Sequence, residues 1–424
     1  MKLNKVLILT TVLIVFSFIA VPLSGVFSVR AEQLGPYITG TEKMGKLIKV
    51  IDKNNVDEIK DALPVCYYVR VAEWGLKIRI TEPKPNNYKP SAAYTAATEQ
   101  NKKVKVIIDP KKGLLNYNDH GGSPFPGPKT LGTAEENLIT GMKIHWNCEK
   151  SYKGDDFVYP YFGHFMGPRG DERAIGGAWD VIKWVGRTDL DPIGSFEPNP
   201  KGVEHKELIY QTYPFELKGT SICTVRYLDA EKTDDMWIYI ASLRRIRRMS
   251  TAQRCDTYIG SDFIFDDFRG CSWKVETAYH KFLGEKNMWL VMNQVEDLKY
   301  SKGAPYPQRT NPIMEKRPCY INEVKHHDPN YIYGKRIVYY DKQTYFPVTT
   351  DVYDVKGQLW KSINYTQNIL DKCLDTLSYD VYDMQARCST LMSFKDPKGG
   401  SGQIVNYNPD PNNYSTAYLK KLGR

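Results

Sequence analysis

The residues with the clearest capacity for chemistry lie in positions 236–268, where a run of arginines precedes a run of aspartates. Four arginines fall within five positions: Arg244, Arg245, Arg247 and Arg248. Four aspartates follow at short intervals: Asp256, Asp262, Asp266 and Asp267. Guanidinium groups form strong paired hydrogen bonds with carboxylates and with other planar anions. The stretch therefore predicts either a structural network of ion pairs or a charged rim that holds an anionic ligand.

The elements that must position these groups are two strands joined by a short break. Residues 236–240 are mostly β-branched or aromatic, which favours a strand, and residues 244–248 follow as a second, basic strand after Ala241 and Ser242. Neighbouring side chains of a strand face opposite sides. We therefore expect some of the arginines to turn toward an interior, where a charge needs a partner. The alternative is a solvated face or a surface patch for anionic polymers.

The same stretch resembles a known family. It contains Trp-x-Tyr, Leu-Arg-Arg-x-Arg-Arg, Ala-Gln-Arg and Gly-Ser-Asp-Phe-x-x-Asp-Asp-Phe in that order. This pattern is similar to the signature of LolA/LolB-like periplasmic proteins and, more narrowly, of domain of unknown function 1329. Two further pairs of motifs agree with it: residues 122–126 with 145–147, and residues 335–341 with 351–360.

That resemblance implies an α+β fold in which one large curved antiparallel sheet forms a half-barrel, with helices on its concave face and an apolar cavity between. It also implies a partnership with a membrane exporter of the resistance-nodulation-division type. The net charge is +9, and residues 1–31 contribute three positive charges and no acids, which leaves +6 for the expected mature protein. This mild excess suits an anionic amphiphile or membrane surface and is too small to indicate nucleic acid.

A ligand in such a cavity would meet aromatic walls and a charged rim. The residues expected to form them are Trp237, Tyr239, Arg245, Ile246, Arg247, Arg248, Asp262, Phe263, Phe265 and Asp266. Ligand sites are typically apolar clefts with a few placed polar groups. One of the three strand arginines would hold an anionic head group, and Asp262 and Asp266 would orient the arginines. The alternative is that the aromatic residues are simply the core of the sheet.

The chain divides into four segments by composition. Residues 1–31 resemble a secretory signal, with a basic start, an apolar run and small residues before cleavage near Ala31, which would place the mature protein in the periplasm. An uncleaved anchor is the rival interpretation. Residues 32–120 are expected to be an N-terminal extension, residues 121–395 the half-barrel domain, and residues 396–424, rich in Gly, Pro and Asn, a flexible tail.

The local patterns predict few helices and many strands. Five elements are expected before residue 120: a helix at 41–51, a second short helix at 55–63, a strand at 65–81, a loop at 83–98 and a strand at 103–108. Thr133 and Glu136 form a capping-box pattern that predicts a helix over 133–147. Seven strands are expected later: 206–212, 219–228, 237–240, 289–294, 336–341, 346–353 and 359–364.

The cysteines and the classical catalytic patterns favour a binding protein. The eight cysteines permit disulfides such as Cys255–Cys271 and Cys373–Cys388, without fixing the connectivity, and no Cys-x-x-Cys supports zinc. No Gly-x-Ser-x-Gly elbow occurs, and Ser261 is typical of a turn residue. We therefore expect no enzyme, cofactor or metal.

The sequence as a whole predicts a periplasmic carrier of a lipid or similar hydrophobe that acts without covalent chemistry. Two alternatives stay open. An envelope hydrolase would use Ser261 as its nucleophile, and a structural module would bind an envelope polymer through an exposed basic and aromatic strip.

Overall fold

The computed structural model describes residues 45–423 except 87, 118–120, 128–130, 251–253, 271, 295–297, 302–305, 370–372 and 395–401. The expected signal segment, residues 1–31, lies outside the described residues. Among the helices that are described, none has the length and apolar character needed to cross a bilayer.

The described residues of the first half of the chain contribute twelve strands. They are β1 (Leu47–Ile51), β2 (Ile78–Thr81), β3 (Ile107–Asp109), β4 (Gly113–Leu115), β5 (Asp156–Met166), β6 (Glu172–Lys183), β7 (Val185–Arg187), β8 (Gly194–Ser195), β9 (Val203–Tyr213), β10 (Ser221–Tyr227), β11 (Asp235–Ile240) and β12 (Arg245–Met249).

The second half contributes the remaining strands of the described chain. They are β13 (Ala278–Val291), β14 (Tyr300–Ser301), β15 (Gln308–Arg309), β16 (Ile313–His326), β17 (Lys335–Asp341), β18 (Pro347–Tyr353), β19 (Leu359–Ile369), β20 (Leu374–Asp383), β21 (Cys388–Ser393) and β22 (Ile404–Val405). The α-helices are α1 (Val65–Ala72), α2 (Ala92–Lys103), α3 (Ala134–Glu149) and α4 (Thr416–Leu422). Short 3₁₀ turns include Val56–Ala62, Ala241–Leu243, Tyr258–Gly260, Phe265–Gly270 and Val275–Thr277.

One large sheet organises the molecule. Its strand order is β1-β2-β16-β17-β18-β19-β20-β21-β5-β6-β9-β10-β11-β12, with β13 added on β16 and β22 on β5. The pairs are antiparallel except β2 with β16. The two ends of the order, β1 and β12, do not pair with each other, so the sheet stays open. The predicted α+β fold with a large antiparallel half-barrel is confirmed.

Strand periodicity gives the sheet one aromatic face. Phe157, Tyr159 and Tyr161 alternate along β5, so they share a face, and all three belong to the largest apolar cluster. The turns of residues 258–268 pack into the same cluster. Helix α4 packs elsewhere, where Leu419 is fully buried with Cys223 and Tyr239.

Helix α3 begins where its capping pattern predicts. Thr133 accepts from the backbone of Glu136, and the Glu136 side chain accepts from the Thr133 backbone. Ile144 and Cys148 of α3 cluster with Val338 and Tyr340 of β17. The predicted helix at 133–147 is thus confirmed, and the chemistry of its N-terminus explains why the sequence showed it.

The two ends of the chain differ from expectation. Residues 402–423 do not form a flexible tail, because β22 pairs with β5 and Tyr414 is 2 % exposed. Helix α1 replaces the first part of the strand expected at 65–81, and its buried residues fall on one helical face: Cys66, Tyr67, Arg70 and Val71. Helix α2 begins inside the expected loop, after Ser91 caps it. The described residues of the N-terminal extension also join the main sheet through β2 and belong to the same compact unit as the rest of the described chain. Strand β1 at Leu47–Ile51 replaces the end of the helix expected at 41–51.

The cysteine pairs suggested by spacing do not form. Cys255 and Cys388 are thiols in the structure, while Cys271 lies outside the described residues. The Cys388 thiol donates to Asp262 Oδ1 over 2.9 Å. Residues 374–393 form the hairpin of β20 and β21, one of the two forms, helix or hairpin, expected there, without the suggested disulfide.

Candidate ligand-binding site

The arginine strand β12 lies at the open edge of the sheet. It pairs only with β11 in the strand order, and Arg245, Arg247 and Arg248 are all exposed. Arg248 forms an ion pair with Asp235. Within the described part of the chain, Arg245 and Arg247 form no ion pair. The expectation that this run turns a charge inward is therefore wrong, because an edge strand with one neighbour leaves its guanidinium groups in water.

The aromatic members of the predicted set lie in two different places. Trp237, Tyr239 and Ile246 contribute to the cluster under helix α4. Phe263 and Phe265 belong to the large aromatic cluster on the other part of the sheet. The structure therefore separates the ten predicted residues into an edge group and a central group.

The predicted aspartates hold other partners than the strand arginines. Asp266 accepts from Arg254 Nε over 2.6 Å and from the Tyr331 hydroxyl over 2.8 Å. Asp262 accepts from Thr390 Oγ1 over 2.8 Å and from the Cys388 thiol. The expected role of Asp262 and Asp266 in orienting β12 is therefore not seen.

A buried network of charges surrounds Asp266 and Asp267. Arg336 Nη2 donates to Asp267 Oδ1 over 2.9 Å, and Arg254 also contacts Asp234 over 3.0 Å. Burial by itself would raise the pKa of Asp266, but the charges of Arg254 and Arg336 outweigh it, so the pKa is lowered. Both arginines lie in motifs of the family resemblance, and those motifs do not indicate this network. No spacing rule joins residues 69 positions apart.

A small apolar cavity lies on the aromatic face, and we call it the aromatic hollow. Its volume is about 40 Å³. It is lined by Lys153, Phe157, Tyr159, Tyr161, Trp179, Tyr258, Phe268, Arg269, Phe346, Tyr365, Thr376, Tyr379, Met392 and Phe394. None of the ten predicted ligand residues is in this lining. Phe263 packs directly behind it, with its ring 5.0 Å from that of Phe268 and 5.2 Å from that of Tyr379.

Residues 258–270, which we call the plug, account for the small size of the hollow. Their rings insert between the strands, and the Tyr258 hydroxyl lies 3.0 Å from that of Tyr161. Two non-glycine residues of the plug have a left-handed backbone, Ile259 at φ 48° and Arg269 at φ 54°. Such conformations carry strain and persist only where surrounding contacts hold them.

The hollow is smaller than the sequence led us to expect. A volume of about 40 Å³ holds a few water molecules, whereas pockets for small ligands usually measure roughly 300–1,000 Å³. An acyl chain therefore does not fit while the plug is seated. Side chains of the plug occupy the space in which an open cavity was expected.

Two cations give the hollow a polar end. Arg269 donates to Glu149 Oε2 over 2.9 Å, and Lys153 Nζ donates to the Cys148 carbonyl over 3.3 Å. Burial would lower the pKa of Arg269, but Glu149 and Glu207 outweigh it and raise it. On the wall, the buried indole N–H of Trp179 has no acceptor among the described residues.

Ser261, the nucleophile expected of a hydrolase, and the imidazole of His326 are both engaged in structural contacts. Ser261 is buried, and its hydroxyl donates to the Phe263 carbonyl over 3.2 Å. The His326 ring stacks on Tyr331 at 3.6 Å between centroids. Burial and the Arg336 charge lower the pKa of His326 to about 3, so it is neutral at physiological pH.

One group of possible metal ligands occurs in the described chain. Ligand atoms of Asp262, Asp383 and Cys388 lie within 4.8 Å of one another. Protein donors already serve the two carboxylates, from Thr390 to Asp262 and from Trp360 to Asp383. We therefore interpret these three side chains as a local hydrogen-bonded cluster.

Comparison with known proteins places the chain beside a defined family and fold. The family model described as protein of unknown function (DUF1329) matches residues 50–420. An uncharacterised protein of Pseudomonas aeruginosa is 22% identical over 405 residues, covering 88% of this chain and 81% of that protein.

One solved structure supports this fold, and the chain is also similar to a second. A DUF1329 family protein from Desulfovibrio piger shares 16% identity with a TM-score of 0.50, over 67% of this chain and 99% of its own. A LolA superfamily protein from Nitrosomonas europaea shares 13% identity with a TM-score of 0.40, over 68% of this chain and 100% of its own.

Proposed function

Because the chain belongs to the DUF1329 family, we propose that it is a carrier that binds a single-chain anionic amphiphile in the aromatic hollow. The main support for this proposal is that the hollow has apolar walls and positively charged groups at one end. Almost all the lining is aromatic or aliphatic, and the charged exceptions are two cations, Lys153 and Arg269. An acyl chain with a carboxylate or phosphate head matches that distribution of apolar and positive groups.

Binding requires the plug to move outward. Each buried methylene contributes about 0.8 kcal/mol, so a chain of about ten gives roughly 8 kcal/mol of gross stabilisation. Displacing the plug and ordering the chain offset part of that gain. The part of the plug up to Phe268 moves, while Arg269 stays paired with Glu149. The left-handed backbone at Ile259 favours this step, since leaving the seated position relieves strain.

The proposed setting of the carrier is the periplasm. The leader-like residues 1–31 and the LolA/LolB resemblance support a periplasmic protein that exchanges its cargo with an exporter of the resistance-nodulation-division type. No covalent chemistry is part of this proposal. In particular, the Ser261 hydroxyl is held by a backbone carbonyl, which does not favour the hydrolase alternative.

The exposed edge strand supports a second, compatible role. Arg245, Arg247 and Arg248 point their charges into water along β12. Basic groups at a surface are attracted to anionic head groups. We propose that this edge docks the carrier on an anionic envelope surface, with Trp237, Tyr239 and Ile246 holding the strand on the sheet and Asp262, Phe263, Phe265 and Asp266 holding the plug.

A titration of delipidated protein with a fluorescent fatty acid tests the carrier role. We expect saturable binding of one molecule per chain. The Lys153→Met variant should bind about fivefold more weakly, which corresponds to about 1 kcal/mol for a partly exposed ion pair. Lys356→Met, an exposed lysine in the turn after β18, is the matched control and should behave like the parent protein. Absence of saturable uptake at any concentration below the micelle threshold would contradict the proposal.

A further inference from the structure

Exposed apolar side chains lie at the tips of two turns beside β12. Phe215, in the turn between β9 and β10, is 86% exposed, and Leu243, in the turn between β11 and β12, is 51% exposed. Tyr213, at the end of β9, is 49% exposed. Single exposed apolar residues are normal on a protein surface, so the position of these residues relative to one another decides their meaning.

The sheet brings the two turns to one of its ends. Strand β10 pairs antiparallel with β9 on one side and with β11 on the other, so the turn that enters β10 lies beside the turn that leaves β11. The Ala241 backbone donates to Thr220 Oγ1 over 3.5 Å. A Cβ added at Gly219 would lie 3.6 Å from Ala241 Cβ and 3.0 Å from the Cα of Gly423, which follows α4. The two turns and the end of α4 therefore form one surface, which we call the docking end and which comprises residues 213–219, 241–245 and 420–423.

Unpaired cations accompany the apolar tips of the docking end. They are Lys218, Arg244, Arg245, Lys420 and Lys421, and all five are exposed. None of them forms an ion pair with another residue of the described chain. Glu216 is the one acidic residue within the docking end. This surface therefore presents an excess of positive charge that matches anionic lipid head groups.

The turn that carries Phe215 is also connected to the plug. Gln211, at the base of this turn, accepts a backbone hydrogen bond from Gly219 over 2.9 Å. The Gln211 side-chain amide donates to the Tyr161 hydroxyl over 2.6 Å and also to the hydroxyl of Tyr258, a plug residue. One side chain thus joins the docking end to the segment that must move before cargo enters or leaves the hollow.

The combination of projecting apolar tips and free cations favours a bilayer over other partners. An envelope polymer or a free anion would be attracted by the cations alone and gives no role to Phe215, which projects into water. A small-molecule ligand needs a concave site, which projecting turn tips do not form. Proteins that bind at a membrane interface combine apolar, often aromatic, side chains with Lys and Arg.

We infer that the docking end inserts Phe215 and Leu243 into the interfacial layer of an anionic lipid bilayer, while its cations contact the head groups. This inference rests on the docking role proposed above for β12 and deepens it. It names the partner as a bilayer, and it adds the insertion of apolar side chains to the attraction between charges.

Co-sedimentation of the full chain with vesicles of phosphatidylglycerol and phosphatidylethanolamine tests this inference. The protein should bind, and Phe215→Ser should weaken binding about tenfold, the effect of losing part of the burial of one phenylalanine ring. Leu243→Ser should weaken binding about fivefold, since its side chain is smaller. Val355→Ser is the matched control, because Val355 is 73% exposed in the turn between β18 and β19, outside the docking end. All three substitutions are at exposed positions, so the free energy of unfolding should be nearly unchanged.

A monolayer experiment separates insertion from attraction at the surface. Side chains that enter the lipid raise the surface pressure of a phosphatidylglycerol monolayer held at constant area. The rise should be much smaller for the double variant Phe215→Ser with Leu243→Ser than for Val355→Ser. An equal rise in both proteins would overturn the inference.

The vesicle results also distinguish this inference from the roles proposed above. Unchanged affinity in both Phe215→Ser and Leu243→Ser overturns the insertion and leaves the attraction through β12 standing. Absence of vesicle binding by the parent protein overturns both, while the fatty-acid titration with Lys153→Met judges the carrier role independently. Self-association of the parent protein that Phe215→Ser abolishes, without vesicle binding, would assign the docking end to a second copy of the chain and overturn the inference.

Discussion

The ion pair between Asp267 and Arg336 is the contact whose loss should most disturb the carrier. Their side chains are 0% and 1% exposed, and Arg336 Nη2 lies 2.9 Å from Asp267 Oδ1. The other Asp267 oxygen accepts from the Tyr333 hydroxyl over 2.8 Å and from the Ile264 backbone over 3.0 Å. Asp267 therefore joins strand β17 to the plug.

The Asp267→Asn variant keeps the shape of the side chain and removes its charge. It removes the hydrogen-bonded counter-charge of the buried Arg336 guanidinium, and breaking such a pair costs about 3–5 kcal/mol. We expect a loss of this size in the free energy of unfolding, measured by chemical denaturation. Glu285→Gln, which breaks the exposed pair with Lys342 at 2.7 Å, should cost no more than about 0.5 kcal/mol.

A double variant separates charge burial from general damage. Arg336→Met combined with Asp267→Asn should cost clearly less than the sum of the two single losses, because no charge is then left buried alone. Loosening the plug should also speed fatty-acid uptake in stopped-flow measurements. A loss below about 1 kcal/mol for Asp267→Asn, or strict additivity in the double variant, would refute this reasoning.

Three further expectations follow from the described contacts. Burial raises the pKa of Asp180 to about 7, although Tyr407 and Tyr414 donate hydrogen bonds to it, and the nearby Asp156 raises the pKa further. The folded protein therefore keeps a proton that the unfolded chain loses near pH 4. As a result, the free energy of unfolding falls by roughly 1.4 kcal/mol per pH unit between about pH 4 and 7. Denaturation at pH 5 and 8 should show a smaller decline in Asp180→Asn, and an equal decline in both proteins would count against this assignment. Phe268→Ala should enlarge the hollow, raise fatty-acid affinity and lower stability by about 2 kcal/mol; unchanged affinity would mean that Phe268 does not limit the space. Replacing Arg245, Arg247 and Arg248 by serine should leave fatty-acid affinity unchanged and weaken sedimentation with anionic vesicles by up to about 1 kcal/mol per charge, and intact vesicle binding would remove the docking role of β12.

Local signals in the sequence predicted the parts of the fold that local chemistry determines. The capping box at Thr133 marks α3, and the alternation around residues 236–249 marks β11, its turn and β12. Helix α1 was missed because its β-branched and aromatic residues also suit a strand. Only the packing of this segment against the sheet determines that it is a helix. Helix α4 was missed because a short amphipathic run followed a Gly, Pro and Asn-rich segment.

The site was harder to predict because its geometry depends on strand order. Nothing in the sequence shows that β12 is an edge strand. The exposure of its arginines therefore could not be predicted. Asp266 pairs with Arg254, twelve residues earlier, and Asp267 with Arg336, which only the position of β17 brings near. Lys153 lies in a polar turn between α3 and β5 with no periodic pattern to mark it.

The central claim is that the cargo chain lies in the aromatic hollow under the plug. A fatty acid with a photoreactive diazirine near the end of its chain tests this directly, with mass spectrometry to map the modified peptides. The account predicts saturable labelling of β20 and β21 around Tyr379 and Met392, suppressed by excess unlabelled fatty acid. Labelling confined to exposed apolar residues such as Phe215, without saturation, would contradict it.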